Sequence, residues 1–283
     1  MKLFVTGGTG FVGSHFLNTA LGAGHEVCAL RRPGSSPRVP LVAPPQWLQT
    51  PFAEVSERDL EGCECLVHLL STGVSPQRAD WSDHAEVNIR LVLRLLVTAL
   101  EAGIRRLVVC GTYAEYGLAA NRYDFLPTDA PLEPVGGYAG AKAAASVAAM
   151  AMARERTAEL VVARPFSVFG PGQHPDNFFP ALERAALAGE DFRMTAGEQV
   201  RDFVPVEDVA RDLFRCCLAP GVAPGRPFTV HLASGQPVRL RDFALRCWGE
   251  WGAKGRVHFG SCAYRPNEIM RYATRPPDFT AVS

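Results

Sequence analysis

The pentapeptide YAGAK at residues 138–142 holds the side chains of this chain that are best suited to acid–base chemistry. Tyr138 and Lys142 are four residues apart at the start of a helical pattern, so both lie on one helix face. A phenol with a pKa of about 10 transfers protons poorly at neutral pH, but a neighbouring ammonium lowers that pKa. Without other signals, a tyrosine and a lysine four residues apart on a helix are usually exposed surface residues with no chemical role. A strand end upstream, GTYAEYG, adds a hydroxyl and favours chemistry.

A glycine-rich turn, TGGTGFVG at residues 6–13, follows the apolar run MKLFV. A strand, a glycine turn and a helix together present backbone N–H groups at a helix N-terminus, which favours phosphate. Gly7 permits the tight turn, Gly10 leaves room for a pyrophosphate, and Gly13 lets helix and strand pack closely. The spacing is GxxGxxG rather than GxGxxG. It predicts a dinucleotide site, with a merely tight turn as the alternative.

Two arginines, Arg31 and Arg32, follow the next strand, EVCAL, where an acidic residue usually binds the adenosine ribose. A guanidinium pairs instead with a 2′-phosphate. The pair favours NADP over NAD, and solvated loop arginines are the alternative.

The elements that must position these residues alternate along the first 165 residues, since five apolar runs are separated by helical patterns. This rhythm predicts an α/β fold, a Rossmann-type doubly wound parallel sheet covered by helices on both faces. The predicted helices are 11–23, 84–102, 138–156, 177–188, 207–218 and 239–252. Loops are predicted at 31–46 and 117–137.

The amino-acid composition changes after Arg164-Pro165, where proline, glycine and other loop signals become frequent. We expect a dinucleotide-binding domain over 1–165 and a smaller C-terminal α/β substrate lobe over 166–283, with some segments of the second range returning to the first domain.

Charge and cysteine usage exclude several classes of partner. The 29 basic and 29 acidic side chains cancel, so no bulk field attracts nucleic acid or an anionic membrane. No apolar run has the length of a membrane span, and no signal peptide is evident, so we expect a cytoplasmic protein. Eight scattered cysteines without a CxxC pair, and seven histidines without ligand spacing, predict free thiols and no metal site.

Seven motifs occur in an order that resembles the extended short-chain dehydrogenase/reductase superfamily, specifically its NAD(P)-dependent epimerase/dehydratase family, over nearly the whole chain. They are TGGTGFVG (6–13), LVHLL (66–70), EVN (86–88), GTYAEYG (111–117), YAGAK (138–142), ARPFSVFGPG (163–172) and RDFVPVEDVA (201–210).

The resemblance implies roles for individual residues. Thr112 would bind the reacting oxygen, Tyr138 would be the acid–base residue, and Lys142 would tune it and hold the nicotinamide ribose. Asn88, at the family's helix-kink position, would complete a water relay or be an exposed polar residue. The implied cofactor-binding residues are Gly7, Gly10, Phe11, Val12, Gly13, Arg31, Arg32, Leu69, Tyr138, Lys142 and Pro165.

The substrates that the resemblance implies are nucleotide-linked sugars. Asn177, Arg201 and Arg265 occupy the family's diphosphate and nucleotide positions. Glu115 has three open interpretations: a substrate contact, an extra acid–base group or a structural carboxylate.

The family's sugar 4,6-dehydratases carry an acidic residue directly after the catalytic threonine, whereas this chain has Tyr113-Ala114. Reduction of a 4-keto deoxy sugar with NADPH is therefore the first expectation. A nucleotide-sugar epimerase with tightly held NAD(P) is the alternative, followed by a non-catalytic NADP-binding sensor.

A homodimer is expected through helices 84–102 and 138–156. The alanine-rich stretch AKAAASVAAMAMA leaves one helix face almost without side-chain bulk, which suits a helix of a second copy or one of the same chain.

Overall fold

A seven-stranded parallel sheet forms the centre of the molecule. It belongs to a computed structural model that describes residues 1–74, 76 and 79–279. The strands lie in the order β11-β6-β5-β4-β1-β2-β3, which is the doubly wound order extended by one strand. Their bounds are β1 Lys2–Thr6, β2 Glu26–Leu30, β3 Gln46–Leu48, β4 Cys65–His68, β5 Arg106–Cys110, β6 Glu159–Pro165 and β11 Phe228–Leu232.

Helices cover both faces of this sheet, which is why its strands are continuously apolar. Helices α1 (Phe11–Gly22) and α6 (Val206–Leu218) pack on one face, where Phe16 and Leu213 are fully buried. Helices α3 (Leu91–Glu101) and α4 (Gly137–Glu155) pack on the other. The predicted Rossmann-type fold is confirmed.

Two connections depart from regular βαβ geometry. The range 84–102, predicted as one helix, comprises α2 (Trp81–Ala85), a π-helical turn (Glu86–Arg90) and α3. The link between β2 and β3 has no helix, because a proline-rich loop over residues 31–45 replaces it. This loop lies on α1, where Asn18 Nδ2 donates to Pro40 O at 2.9 Å and Ser14 Oγ accepts from the Arg38 amide at 2.8 Å.

The chain beyond Pro165 both completes the sheet and builds small sheets beside it. Strand β11 joins the sheet next to β6, in parallel, and α6 covers it. Helices α5 (Phe178–Ala188) and α7 (Leu240–Glu250) share an aromatic core, in which Phe203 and Phe243 stack at 3.8 Å between ring centroids. The domain boundary at residue 165 stays a prediction. The small strands are β7 Ser167–Phe169, β8 Phe192–Arg193, β9 Val200–Arg201, β10 Phe203–Pro205, β12 Val238–Arg239, β13 Val257–His258 and β14 Arg271–Tyr272.

Candidate active site

The glycine turn lies at the carboxyl end of β1 and leads directly into α1. Gly7 has a φ of +75°, and a Cβ there would lie 2.6 Å from the Leu70 amide nitrogen. A Cβ on Gly13 would lie 2.0 Å from the carbonyl oxygen of Gly7. Gly10 is the N-cap of α1, and no side chain caps the helix. The turn thus presents the start of α1 as an open site for an anion.

Other residues predicted to contact a cofactor lie at the start of α1 and at the carboxyl ends of sheet strands. Phe11 and Val12 are half-buried in the first turn of α1, and the Leu69 amide donates to Thr6 O at 3.1 Å. Pro165 is buried as the last residue of β6.

The two arginines after β2 have different surroundings. The Arg31 guanidinium lies over the Trp47 ring, 4.9 Å from its centroid, and Arg32 is exposed. A cation–π contact leaves the guanidinium hydrogen-bond donors available.

Thr112 begins a one-turn 3₁₀-helix, Tyr113–Tyr116, directly after β5. Its hydroxyl oxygen accepts from the Ala114 amide at 3.2 Å, and its own amide donates to Glu115 Oε1 at 2.9 Å. This reciprocal cap orients the threonine side chain at the carboxyl end of the sheet.

Glu115 is fully buried and forms an ion pair with Arg164, at 2.9 Å between Oε2 and Nε. With one oxygen on Thr112 and the other on Arg164, the carboxylate has no face toward solvent. Among the three interpretations of Glu115, the geometry favours the structural carboxylate, and a substrate contact would require the pair to open.

Tyr138 and Lys142 both lie at the carboxyl end of β5, on the first turns of α4. The Lys142 ammonium, which is buried, donates to the carbonyl oxygen of Cys110. Burial raises the pKa of the Tyr138 phenol above its ordinary value, and Cys110 and Glu115 raise it further. The lowered pKa that the Tyr–Lys spacing predicts is therefore wrong for this structure, because desolvation is the largest influence on the phenol.

The loop after β4 is tied to the π-helical turn by Asn88. Its Oδ1 accepts from the Ser71 hydroxyl at 3.1 Å and from the Thr72 amide at 2.9 Å. Its Nδ2 donates to Thr72 O at 3.0 Å and lies 3.1 Å from His84 Nδ1. Asn88 is 1% exposed, so the exposed alternative is wrong. The His84 ring lies beside Tyr138, at 6.4 Å between centroids.

The residues predicted to bind substrate lie beyond β6. Asn177 is the N-cap of α5, yet its side chain does not cap that helix. The Arg201 guanidinium donates to Glu268 Oε1 and to Ile269 O, both at 2.7 Å, and lies over the Tyr272 ring. Arg265 is exposed. The structure thus places Arg201 in an existing ion pair.

Sequence reasoning assigned no role to Arg164, although its position contained a signal. It interrupts the apolar strand ELVVARP, and a charged residue in a buried strand is almost always paired. The acidic residue in the apolar segment GTYAEYG is the partner it required.

Within the described residues, none of the helices combines the length and apolar character needed to cross a bilayer. In the same part of the chain no group of three or more His, Cys, Asp and Glu side chains is arranged to hold a metal ion. All eight cysteines are free thiols, and six of them are buried.

The sheet order and the glycine turn together define a dinucleotide-binding α/β fold. The profile of the NAD dependent epimerase/dehydratase family matches residues 3–226, so the chain belongs to that family. It is an enzyme of the extended short-chain dehydrogenase/reductase type.

Similar proteins span nearly the same length. CDP-abequose synthase of Salmonella muenchen is 22% identical over 269 residues, which are 95% of this chain and 87% of that protein. The solved structure of MoeE5 in complex with UDP-glucose and NAD has a TM-score of 0.82 and 26% identity, covering 100% of this chain and 92% of that one. The NAD dependent NDP-hexosamine 5,6-dehydratase TunA, involved in tunicamycin biosynthesis, has a TM-score of 0.83 and 29% identity, covering 99% and 90%.

Proposed function

We propose that the protein is an NADP-dependent reductase of a nucleotide-linked 4-keto deoxy sugar. The observation that carries this proposal is the meeting of Thr112, Tyr138 and Lys142 around the carboxyl end of β5, at the same edge of the sheet as the glycine turn. In parallel sheets, ligands bind at this edge.

The phenol and the threonine hydroxyl perform the acid chemistry of the proposed reduction. When a nicotinamide cofactor is bound, its chemistry would be to supply the hydride that the carbonyl carbon receives. Because burial raises its pKa, Tyr138 is protonated at neutral pH and is ready to give its proton to the carbonyl oxygen. The Thr112 hydroxyl donates a hydrogen bond to the same oxygen, and Lys142 lies close enough to the β5 end to hold the ribose.

Sugar dehydration is not our first choice, although TunA is a dehydratase. An elimination needs an acid and a base in addition to the tyrosine. Here Tyr113 and Ala114 follow Thr112, and the nearby carboxylate of Glu115 is held by Arg164.

Arg31 and Arg32 support NADP as the cofactor, since the described end of β2 carries two cations and no carboxylate. Two of the similar structures are described with NAD. Measuring dissociation constants for NADPH and NADH with the wild type and with Arg31→Ala/Arg32→Ala decides the question. NADPH should bind more tightly, and the double substitution should remove that preference. Tighter binding of NADH to the wild type would refute it.

Asn177, Arg201 and Arg265 support a nucleotide diphosphate as the substrate handle. Arg201 is only 12% exposed and is paired with Glu268, so a diphosphate would compete with that carboxylate. An arginine held in place by a carboxylate is already oriented for a second anion.

The test is a spectrophotometric assay with NADPH and a panel of nucleotide-linked 4-keto sugars and nucleotide hexoses. Loss of absorbance at the NADPH band with a 4-keto sugar supports the reductase. Interconversion of sugars without net NADPH oxidation would replace it by an epimerase. Cofactor binding with no turnover of any sugar would favour the sensor.

A further inference from the structure

We propose that the buried ion pair between Glu115 and Arg164 is a positioning device that holds the Thr112 hydroxyl at the reacting oxygen. The proposal rests on the proposed function. It assigns Glu115 and Arg164 a positioning role in catalysis, although neither residue contacts the substrate.

The Glu115 carboxylate acts directly on the backbone of the threonine. Oε1 accepts from the Thr112 amide at 2.9 Å, and Oε2 accepts from Arg164 Nε at 2.9 Å. Each oxygen is therefore fixed by a separate donor. Because a carboxylate held at both ends cannot rotate, the amide of Thr112 is fixed, and with it the direction of the side chain.

Arg164 is in turn anchored on two sides. Its Nη1 donates to the Tyr116 hydroxyl at 2.6 Å and to Thr128 O at 3.2 Å. The Tyr116 hydroxyl is hydrogen-bonded to His231 Nε2 on β11. His231 Nδ1 is 2.7 Å from the Thr274 hydroxyl, which donates to Leu126 O at 3.0 Å. Buried hydrogen bonds thus link the 3₁₀-helix at Tyr113–Tyr116, which Thr112 caps, to β6, to β11 and to the segment at residue 274.

Gly111 supports this assignment independently. A Cβ at this position would lie 2.5 Å from Glu115 Oε1 and 3.2 Å from Arg164 Cγ. The residue directly before Thr112 therefore leaves the space that the pair occupies. An ion pair with 0% and 2% exposure of its side chains is a costly way to fill a core, and buried pairs of this kind are retained where they fix a geometry.

The experiment compares Glu115→Gln with Glu133→Gln. Glu133 also pairs with an arginine, Arg122, at 2.7 Å, but that pair is exposed. In Glu115→Gln we expect kcat to fall about 10- to 100-fold, because misplacing a reacting group has effects of that size, while the NADPH dissociation constant stays the same. The KM for the sugar should stay close to that of the wild type, because the pair acts on the transition state and does not touch the substrate. Glu133→Gln should change none of these.

A fall in kcat with an equally large rise in KM or in the NADPH dissociation constant would overturn the proposal, because a merely structural role disturbs the whole site. Unchanged kcat would overturn it as well. The substitution Glu115→Gln leaves Arg164 without its counter-ion. We therefore measure in parallel, by the same criteria, the double variant Glu115→Gln/Arg164→Met, which buries no unpaired charge. If neither variant folds, the pair holds the fold rather than the turn, and the proposal fails.

Failure of the proposed function would look different. Wild-type protein would then turn over no sugar at all, and crystal structures of the wild type and the double variant would replace kinetics. Displacement of the Thr112 hydroxyl from its wild-type position in the variant would support positioning by the pair. An unmoved Thr112 would overturn it.

Discussion

At the scale of single residues, the site contains ionisable side chains that are buried away from solvent. Tyr138 is a phenol whose pKa burial raises, and Glu115 is a carboxylate with no solvent. The sequence allowed Tyr138 and Lys142 to be predicted because their spacing is local, whereas the role of Thr112 was predicted from the resemblance to a family. The burial of Glu115 against Arg164 joins residues 49 positions apart. A charge in each apolar segment indicates that a partner is needed, but local sequence does not identify which residue supplies it.

Substituting Tyr138→Phe tests the phenol itself. We expect turnover to fall by at least about 100-fold, because general acid catalysis contributes about 10²- to 10⁴-fold. Binding of NADPH, followed by its fluorescence, should change little. Tyr123, a half-buried phenol that has no role in the proposed mechanism, gives the matched control Tyr123→Phe. Turnover retained in Tyr138→Phe would remove this residue from the mechanism.

At the scale of elements, apolar runs predicted five of the seven strands of the central sheet, because a strand buried on both faces demands an unbroken apolar run. The short β3 and the late β11 were not predicted. The helix bounds fall within two residues of the predicted ones, except over 84–102. The π-helical turn there was not predicted. It depends on Asn88 reaching across to Thr72, a contact between elements rather than a property of the helix.

Alanine substitutions at two glycines of α1 should have opposite effects on the stability of the protein. Gly13→Ala should destabilise the protein by about 2 kcal/mol and weaken NADPH binding, because its Cβ would meet Gly7 O. Gly22→Ala has open space around it and should stabilise by about 0.5 kcal/mol. Urea unfolding measures both. Equal effects of the two substitutions would contradict the steric argument.

Asn88→Asp tests the link between the π-helical turn and the loop after β4. The substitution keeps the oxygen that accepts from Ser71 and Thr72, but loses the two donations from Nδ2. We expect the free energy of unfolding to fall by about 2 kcal/mol, since the substitution removes the hydrogen bonds of a buried side-chain amide and introduces a buried negative charge. Asn121→Asp, on the exposed surface, should change it by less than about 0.5 kcal/mol. Similar losses in both would argue against the link.

At the scale of the whole molecule, two buried histidines make stability depend on pH. Burial, together with the nearby cation Lys142 for His68 and Arg164 for His231, lowers the pKa of each histidine to about 3. An unfolded imidazole binds a proton below about pH 6.5, whereas the folded ones do so only near the lower value. Between these values the unfolded state holds more protons, so stability falls as the pH falls.

We therefore expect each histidine to remove up to about 1.4 kcal/mol of stability per pH unit between pH 6 and pH 4. Urea unfolding of His231→Asn over this range should show a shallower slope than the wild type, and parallel curves above pH 7. Equal slopes at acid pH would show that His231 is already protonated in the folded protein.

The association of two copies remains a prediction, made on α4. Its outward stripe of Ala144, Val147 and Ala151 is exposed, and Val147 is 53% exposed. If this stripe packs on a second copy, Val147→Glu should convert a dimer into a monomer, as measured by light scattering. Leu187→Glu, on the exposed face of α5, should leave the mass unchanged. A wild type that is monomeric at every concentration would contradict the prediction.

The proline-rich loop that replaces a helix between β2 and β3 leaves a groove of about 580 Å³ beside Trp47, at an outer margin of the sheet. The strand at this margin is only three residues long, and Pro44 and Pro45, which have no amide hydrogen, precede it. A foreign strand would find few free backbone groups there. The proline-rich segment that replaces a helix therefore also disfavours the pairing of a foreign strand at this margin.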